Sequence, residues 1–216
     1  MMKSAPALTA IFFTLLLQGC NKHYDNFLLN KNKKKSIALQ PLGQYNTGQL
    51  NFISREISNF YNRKVIILKP MDIPVSFRLG NNEELYSADS ILQLLTANLT
   101  NDVIEVIGLT HKDIYTLKKE KYDPINNPHP GYSVHTIFGY GYLQGDCCVI
   151  SDHRFHSPET LVSQHRLRTV TLHETGHNLG LQHCSTAFCI MSDQNGSIPV
   201  LDKSEKDYCK KCKDKL

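Results

Sequence analysis

Hydrophobic and polar positions along the chain fall into two periods, and the switches between them mark alternating strands and helices. Ile37-Ala-Leu-Gln-Pro-Leu has strand character, and Pro41, which cannot donate to a ladder, predicts that this strand ends at a sheet edge. After Thr47, the residues Leu50, Ile53, Ile57 and Phe60 recur at helical spacing, with Asn59 and Asn62 where the helix should stop. Val65-Ile-Ile-Leu reads as a short buried strand. A second helix is expected from Ser87, with Ile91, Leu92, Leu95 and Leu99 on its apolar face, then a strand over 103–109. Across 137–155 strand character returns, broken by Gly139, Gly141 and the Gly145-Asp146 turn signal. Ser157, Pro158 and Glu159 supply a cap, a first-turn proline and an acid for a helix predicted to run to Leu179. This alternation implies an α/β (α+β) layer arrangement, helices against a mostly parallel sheet.

The N-terminus breaks that pattern. Met1-Met2-Lys3 precedes an apolar run from Ala7 to Leu17, the length of a secretory signal core. The run closes on Leu17-Gln18-Gly19-Cys20, which resembles a bacterial lipobox, although Gln18 is not the usual residue at its position. The resemblance implies a signal peptide over 1–19 and a lipid on Cys20, holding the protein on the extracytoplasmic side of a bacterial membrane. A buried N-terminal helix, a plain secretory peptide and retention in the cytoplasm are the alternatives. Asn and Lys dominate residues 20–35, which read as a linker, and one structured domain is expected over 36–216.

Charge changes the picture only once it is located. The chain carries a formal +4, but the linker lysines Lys22, Lys31, Lys33, Lys34 and Lys35 and the signal's Lys3 account for more than all of it. The domain itself sums to about −1, so no nucleic-acid partner is expected. The linker lysines suit either contact with anionic head groups or a solvated tether. A hydrophobic fraction of 41% over 216 residues allows one domain with a real core, and a monomer is expected.

Candidate chemistry lies in His173-Glu-Thr-Gly-His177-Asn-Leu-Gly180-Leu-Gln-His183. Histidines four apart on a helix lie about 40° apart around its axis, one turn above the other, so both rings reach one ion. Gly180 can take a left-handed conformation, end the helix and return His183 as a third ligand. Three imidazoles leave a coordination position open, the mark of a catalytic zinc. The expected chemistry is peptide hydrolysis: the metal acidifies its water and polarises the carbonyl, while Glu174 acts as general base.

The spacing continues through Cys184, Cys189-Ile190-Met191 and Cys209-Lys-Lys-Cys212. Together these elements resemble the archaemetzincins, a branch of the metzincin zinc peptidases, whose signature is His-Glu-x-x-His-x-x-Gly-x-x-His-Cys, Cys-x-Met and Cys-x-x-Cys. The match covers 173–212, and it extends loosely to the stretch ending Val149-Ile-Ser-Asp-His-Arg-Phe155, which looks like the rim strand that holds substrate. The resemblance implies a zincin-like fold, a mixed twisted sheet with an active-site helix and a small C-terminal subdomain. It also implies Met191 as a hydrophobic floor beneath the zinc. Asp193 stands where some metzincins carry a ligating Tyr, so no tyrosine switch is expected.

Cys184, Cys189, Cys209 and Cys212 are expected to hold a second, structural zinc, since Cys-x-x-Cys is a common half-site. Disulfides are the alternative, because outside the cytoplasm paired cysteines often oxidise and lipidation of Cys20 leaves six. Of Cys147 and Cys148, adjacent on a strand, one should face the core and the other the rim. His153, His156 and His165 are read as solvated or supporting residues. The competing functions are a zinc amidase acting on cell-wall peptides and a catalytically idle zinc-binding surface module; retention of Glu174 weighs against the second.

Overall fold

The computed structural model describes residues 35–97, 99–121, 123, 130–193 and 196–216. Cys20, the signal region and the linker up to residue 34 lie outside the described residues.

Strand β1 (Ser36–Leu42) leads into helix α1 (Thr47–Tyr61). The Asn46 side chain caps α1 by accepting from Gln49 N, and Asn62 ends it in a left-handed conformation, φ 49°. Strand β2 (Val65–Ile67) follows, then a 3₁₀ turn over Val75–Phe77 and strands β3 (Arg78–Leu79) and β4 (Asn82–Ser87). Helix α2 (Ala88–Ala97) begins where Ser87 Oγ accepts from Ser90 N. Strands β5 (Val103–Thr110), β6 (Asp113–Lys119), β7 (Tyr132–Ile137), β8 (Gly139–Gly141) and β9 (Cys147–Ser151) precede helix α3 (Thr160–Asn178). Two short helices, α4 (Ile198–Leu201) and α5 (Lys210–Lys213), complete the chain.

The main sheet has the order β2-β1-β5-β9-β8, parallel except for β8, which runs antiparallel along one edge. The period-two alternation of its strands serves two cores. Ile37, Leu39, Ile107, Leu109, Cys148 and Ile150 meet α1 and α3 through Leu50, Ile53, Ile57, Leu167 and Val170. Ala38, Val106, Cys147 and Val149 meet Ile91, Leu92 and Leu95 of α2 on the other face.

Four expectations need correction. β1 is an interior strand, flanked by β2 and β5, despite Pro41. The proline fits because β2 has ended at Ile67: Leu39 O accepts from Leu68 N and Pro41 O from Met71 N, so the missing N–H faces the side where the ladder has stopped. β2 is the edge strand instead of a buried one, and Ile67 is 41% exposed. Cys147 and Cys148 do face opposite ways, but both are buried, because helices cover both faces of the sheet. Burial pushes the Cys147 thiol up to about 11, and Cys148 is also raised, chiefly by burial. Finally, a second sheet, β3-β4-β6-β7, stands beyond α2; lysines and exposed positions in β6 and β7 obscure its alternation in the sequence.

Candidate active site

Helix α3 carries the histidines, and its two halves have different surroundings. The N-terminal half is half-buried and tied by Arg166 to Asp202 (2.6 Å) and by Arg168 to Glu56 of α1 (2.9 Å). The C-terminal half is enclosed: every residue from Thr169 to Gly176 is buried. Ser157 does not cap the helix N–H groups directly. Its N–H donates to Ser163 Oγ and its carbonyl accepts from the same hydroxyl (both 2.8 Å), so the first turn starts later, at Thr160. At the other end Gly180 takes φ +93°, and the chain turns back.

That reversal brings His183 to His173 and His177, with ring centroids 4.8–5.3 Å apart. His173 Nδ1 lies 2.7 Å from Ile190 O, and His177 Nδ1 lies 2.7 Å from Leu181 O. A carbonyl can only accept, so both rings carry their proton on Nδ1. Their Nε2 atoms then face each other as bare lone pairs 3.2 Å apart, which is repulsive unless a cation lies between them. Nitrogens at about 2.0–2.1 Å from a tetrahedral zinc would be about 3.3 Å apart, so the spacing fits that ion. Burial pushes His173 down to about 4 and also lowers His177. Both are therefore neutral at neutral pH, the ligating form.

Glu174 is buried beside this cluster, and its carboxylate accepts from the backbone N–H of Gly141 in β8. Gly139 makes the fit possible, since a Cβ there would fall 2.6 Å from Glu174 Cγ. Met191 is fully buried beneath α3, its sulfur against Gly176 where any side chain would overlap it. Met191 O accepts from Cys184 N (2.7 Å), joining this floor to the turn after His183. Asp193, at the position where some metzincins carry a ligating Tyr, lies 3.8 Å from His183 Nδ1. His153, His156 and His165 do not line the cleft.

The cleft has a volume of about 580 Å³, with His173, Glu174, His177 and His183 on one wall and Gly139–Gly141 on another. The expected rim strand is corrected here: β9 is interior, between β5 and β8, and the open edge beside the histidines is β8. Gly139 and Gly141 hid it from the sequence, where they read as strand breakers.

A second cluster sits below α3. The sulfurs of Cys184 and Cys209 are 3.6 Å apart and those of Cys189 and Cys212 3.8 Å, all four as free thiols whose ligating atoms lie within 4.8 Å of one another. Sulfurs about 2.3 Å from a tetrahedral zinc would stand about 3.8 Å apart, so this group also fits the ion. Backbone N–H groups of Thr186 and Cys209 donate to Cys184 and Cys189 sulfurs, as suits thiolates.

The peptidase family M54 model matches residues 82–216. The archaemetzincin of Methanocaldococcus jannaschii is 31% identical over 186 residues, covering 83% of this chain and 92% of that protein. That of Archaeoglobus fulgidus is 25% identical over 180 residues, covering 83% and 98%. The crystal structure of the A. fulgidus archaemetzincin, complexed with malonate, superposes with a TM-score of 0.66, covering 84% of this chain and 99% of that one. The Methanopyrus kandleri archaemetzincin, 21% identical, shares the fold with a TM-score of 0.67 over 85% and 93%.

Proposed function

This chain belongs to peptidase family M54, the archaemetzincins, and is a zinc-dependent peptidase; from that premise we propose that His173, His177 and His183 hold the catalytic zinc and that Glu174 is the general base. The observation that carries the assignment is the pair of unprotonated Nε2 atoms turned toward each other at 3.2 Å. Zinc bound there supplies a Lewis acid that activates water and polarises the scissile carbonyl. Without metal, burial pushes Glu174 up to about 8; a dication nearby draws it down toward the carboxylate that can accept a proton. Glu174 takes that proton from the attacking water and delivers it to the leaving amine, held in place by the Gly141 N–H. An extended peptide lies along β8, whose outer edge has no partner strand among the described residues. Glu174→Ala should keep its zinc and lose at least about a hundredfold in rate. Near-normal turnover with stoichiometric zinc would reject the role.

A structural zinc held by Cys184, Cys189, Cys209 and Cys212 is part of the same proposal, supported by sulfur spacings that match a tetrahedral site. Native mass spectrometry should find two zinc ions per chain and free thiols after denaturation. One zinc with two disulfides among these cysteines would sink this assignment. The N-terminal motif supports lipidation of Cys20 and attachment of a monomeric 36–216 domain outside a bacterial membrane, through the 20–35 linker. No helix among the described residues is long and apolar enough to cross a membrane. A fatty-acid probe should label the wild type and not Cys20→Ser.

A further inference from the structure

The active-site cleft is not walled by the catalytic elements alone. Strands β6 and β7 pair antiparallel with Thr116 opposite His135 and Lys118 opposite Ser133. Pleating puts these four on one face of the second sheet, and Thr116, Lys118 and His135 line the same cleft as His173 and Glu174. Ser133 Oγ, 2.9 Å from His135 Nε2, steadies that ring.

Charge in the cleft is unevenly distributed. Lys118 is the one lysine or arginine among the described residues that line it, and its ammonium meets no carboxylate among those residues. The acids around the cleft are committed elsewhere. Glu174 and Asp193 sit with the histidines, and both oxygens of Asp89, behind Thr116, accept from the hydroxyls of Thr116 and Tyr142. A smaller adjoining pocket of about 270 Å³, which shares Gly141, His177 and His183 with the cleft, is otherwise lined by Leu143 and Gln182 and has no carboxylate, lysine or arginine. Lys118 is therefore the basic group that the second sheet contributes to the cleft wall.

The geometry points to a peptidase that prefers substrates with a carboxylate beside Lys118 and His135, an inference that rests on the peptidase reading above. An unpaired lysine in the same cleft as a reacting centre draws a complementary charge into register, an effect on specificity of about tenfold. The carboxylate comes from an Asp or Glu side chain or from the end of the peptide, and these sources are separable by experiment.

The test uses the full zinc-loaded protein and a fixed peptide carrying Glu or Gln at each position around the scissile bond, with its C-terminus free or amidated. At one position on one side of the bond, Glu should exceed Gln about tenfold in kcat/KM. Lys118→Gln should collapse that ratio toward one, and Lys118→Glu should turn it to favour Lys over Glu. A ratio cancels any general loss of activity in the variant. If only the free C-terminus confers the advantage, the terminal carboxylate is the ligand. A second readout needs no turnover: fluorescence anisotropy on Glu174→Gln should show the Glu peptide binding about tenfold tighter than its Gln counterpart, and equally once Lys118→Gln is added. Failure of the wild type to cut any peptide would overturn the peptidase reading, while the anisotropy still decides the preference. Equal binding and cutting of Glu and Gln peptides, or a ratio unmoved by Lys118→Gln, would overturn the inference.

Discussion

Glu174 is a carboxyl group buried where its charged form lacks water, and in the metal-free protein burial holds it up at about 8. Its folded pKa lies above its unfolded value of 4.5, so the stability tied to its proton is fully present below pH 4.5 and is lost as pH rises toward and past 8. Replacing it with Gln removes the titration. The metal-free Glu174→Gln protein should match the wild type at pH 4.5–5 and exceed it by up to about 5 kcal/mol at pH 9, because each tenfold change in proton affinity is worth roughly 1.4 kcal/mol. Urea melts of both metal-free proteins at the two pH values measure this; a gap that does not widen with pH would reject it. Gly176 presents a different constraint. Alanine there would gain about 1 kcal/mol in helix propensity but would overlap Met191 Sδ and press on the Tyr208 hydroxyl. Gly176→Ala should still lose a net 1–2 kcal/mol or so, as overpacked cores do. A melt at or above wild type would mean that Met191 moves aside freely.

At the scale of elements, α3 shows why a motif can be clearer than a period. Its C-terminal half is buried on all sides, so apolar and polar residues do not segregate to faces, and the histidine spacing alone marks it as a helix. What holds that half from below is Tyr208, in a C-terminal segment rich in lysine. The structure buries it, and its hydroxyl donates to Leu172 O (2.7 Å) and lies 2.8 Å from Tyr61 OH. Tyr208→Phe should therefore cost about 1–2 kcal/mol by leaving a buried carbonyl short of a donor. Chemical denaturation would show it, and no change would mean that Tyr61 turns to replace the lost bond. Helices α1 and α2 and the parallel strands were legible from their periods. Strand β8 was not, because glycines that clear space for Glu174 look, in one dimension, like breaks.

For the whole molecule, the decisive arrangement is a C-terminal unit packed under α3. Leu172, Leu181, Ile190, Met191, Tyr208, Cys189 and Cys212 form one cluster there, joining the third histidine's turn to the chain's last residues. If zinc ties the four cysteines, stripping both metals should free that unit. Lys210, Lys211 and Lys213 should then become rapid trypsin sites, while α1, held by the main core, stays protected. Mass mapping of the fragments reads this directly. A tail equally protected after complete zinc removal would show that Tyr208 and its apolar neighbours suffice to hold it.

The sequence by itself determined the candidate ligand set, because the His-Glu-x-x-His spacing is a property of one helix and Gly180 needs only its own backbone freedom to return His183. It also determined the family, since the cysteine and methionine offsets are local. It left open which strand borders the cleft, where the second sheet stands and which charged side chains line the cleft. Those depend on pairing between segments far apart in the chain: β8 beside β9, β6 against β7, Lys118 brought to the same cleft as Glu174. A strand's neighbours are chosen by packing on both faces of the whole sheet, and no short stretch of sequence contains that choice.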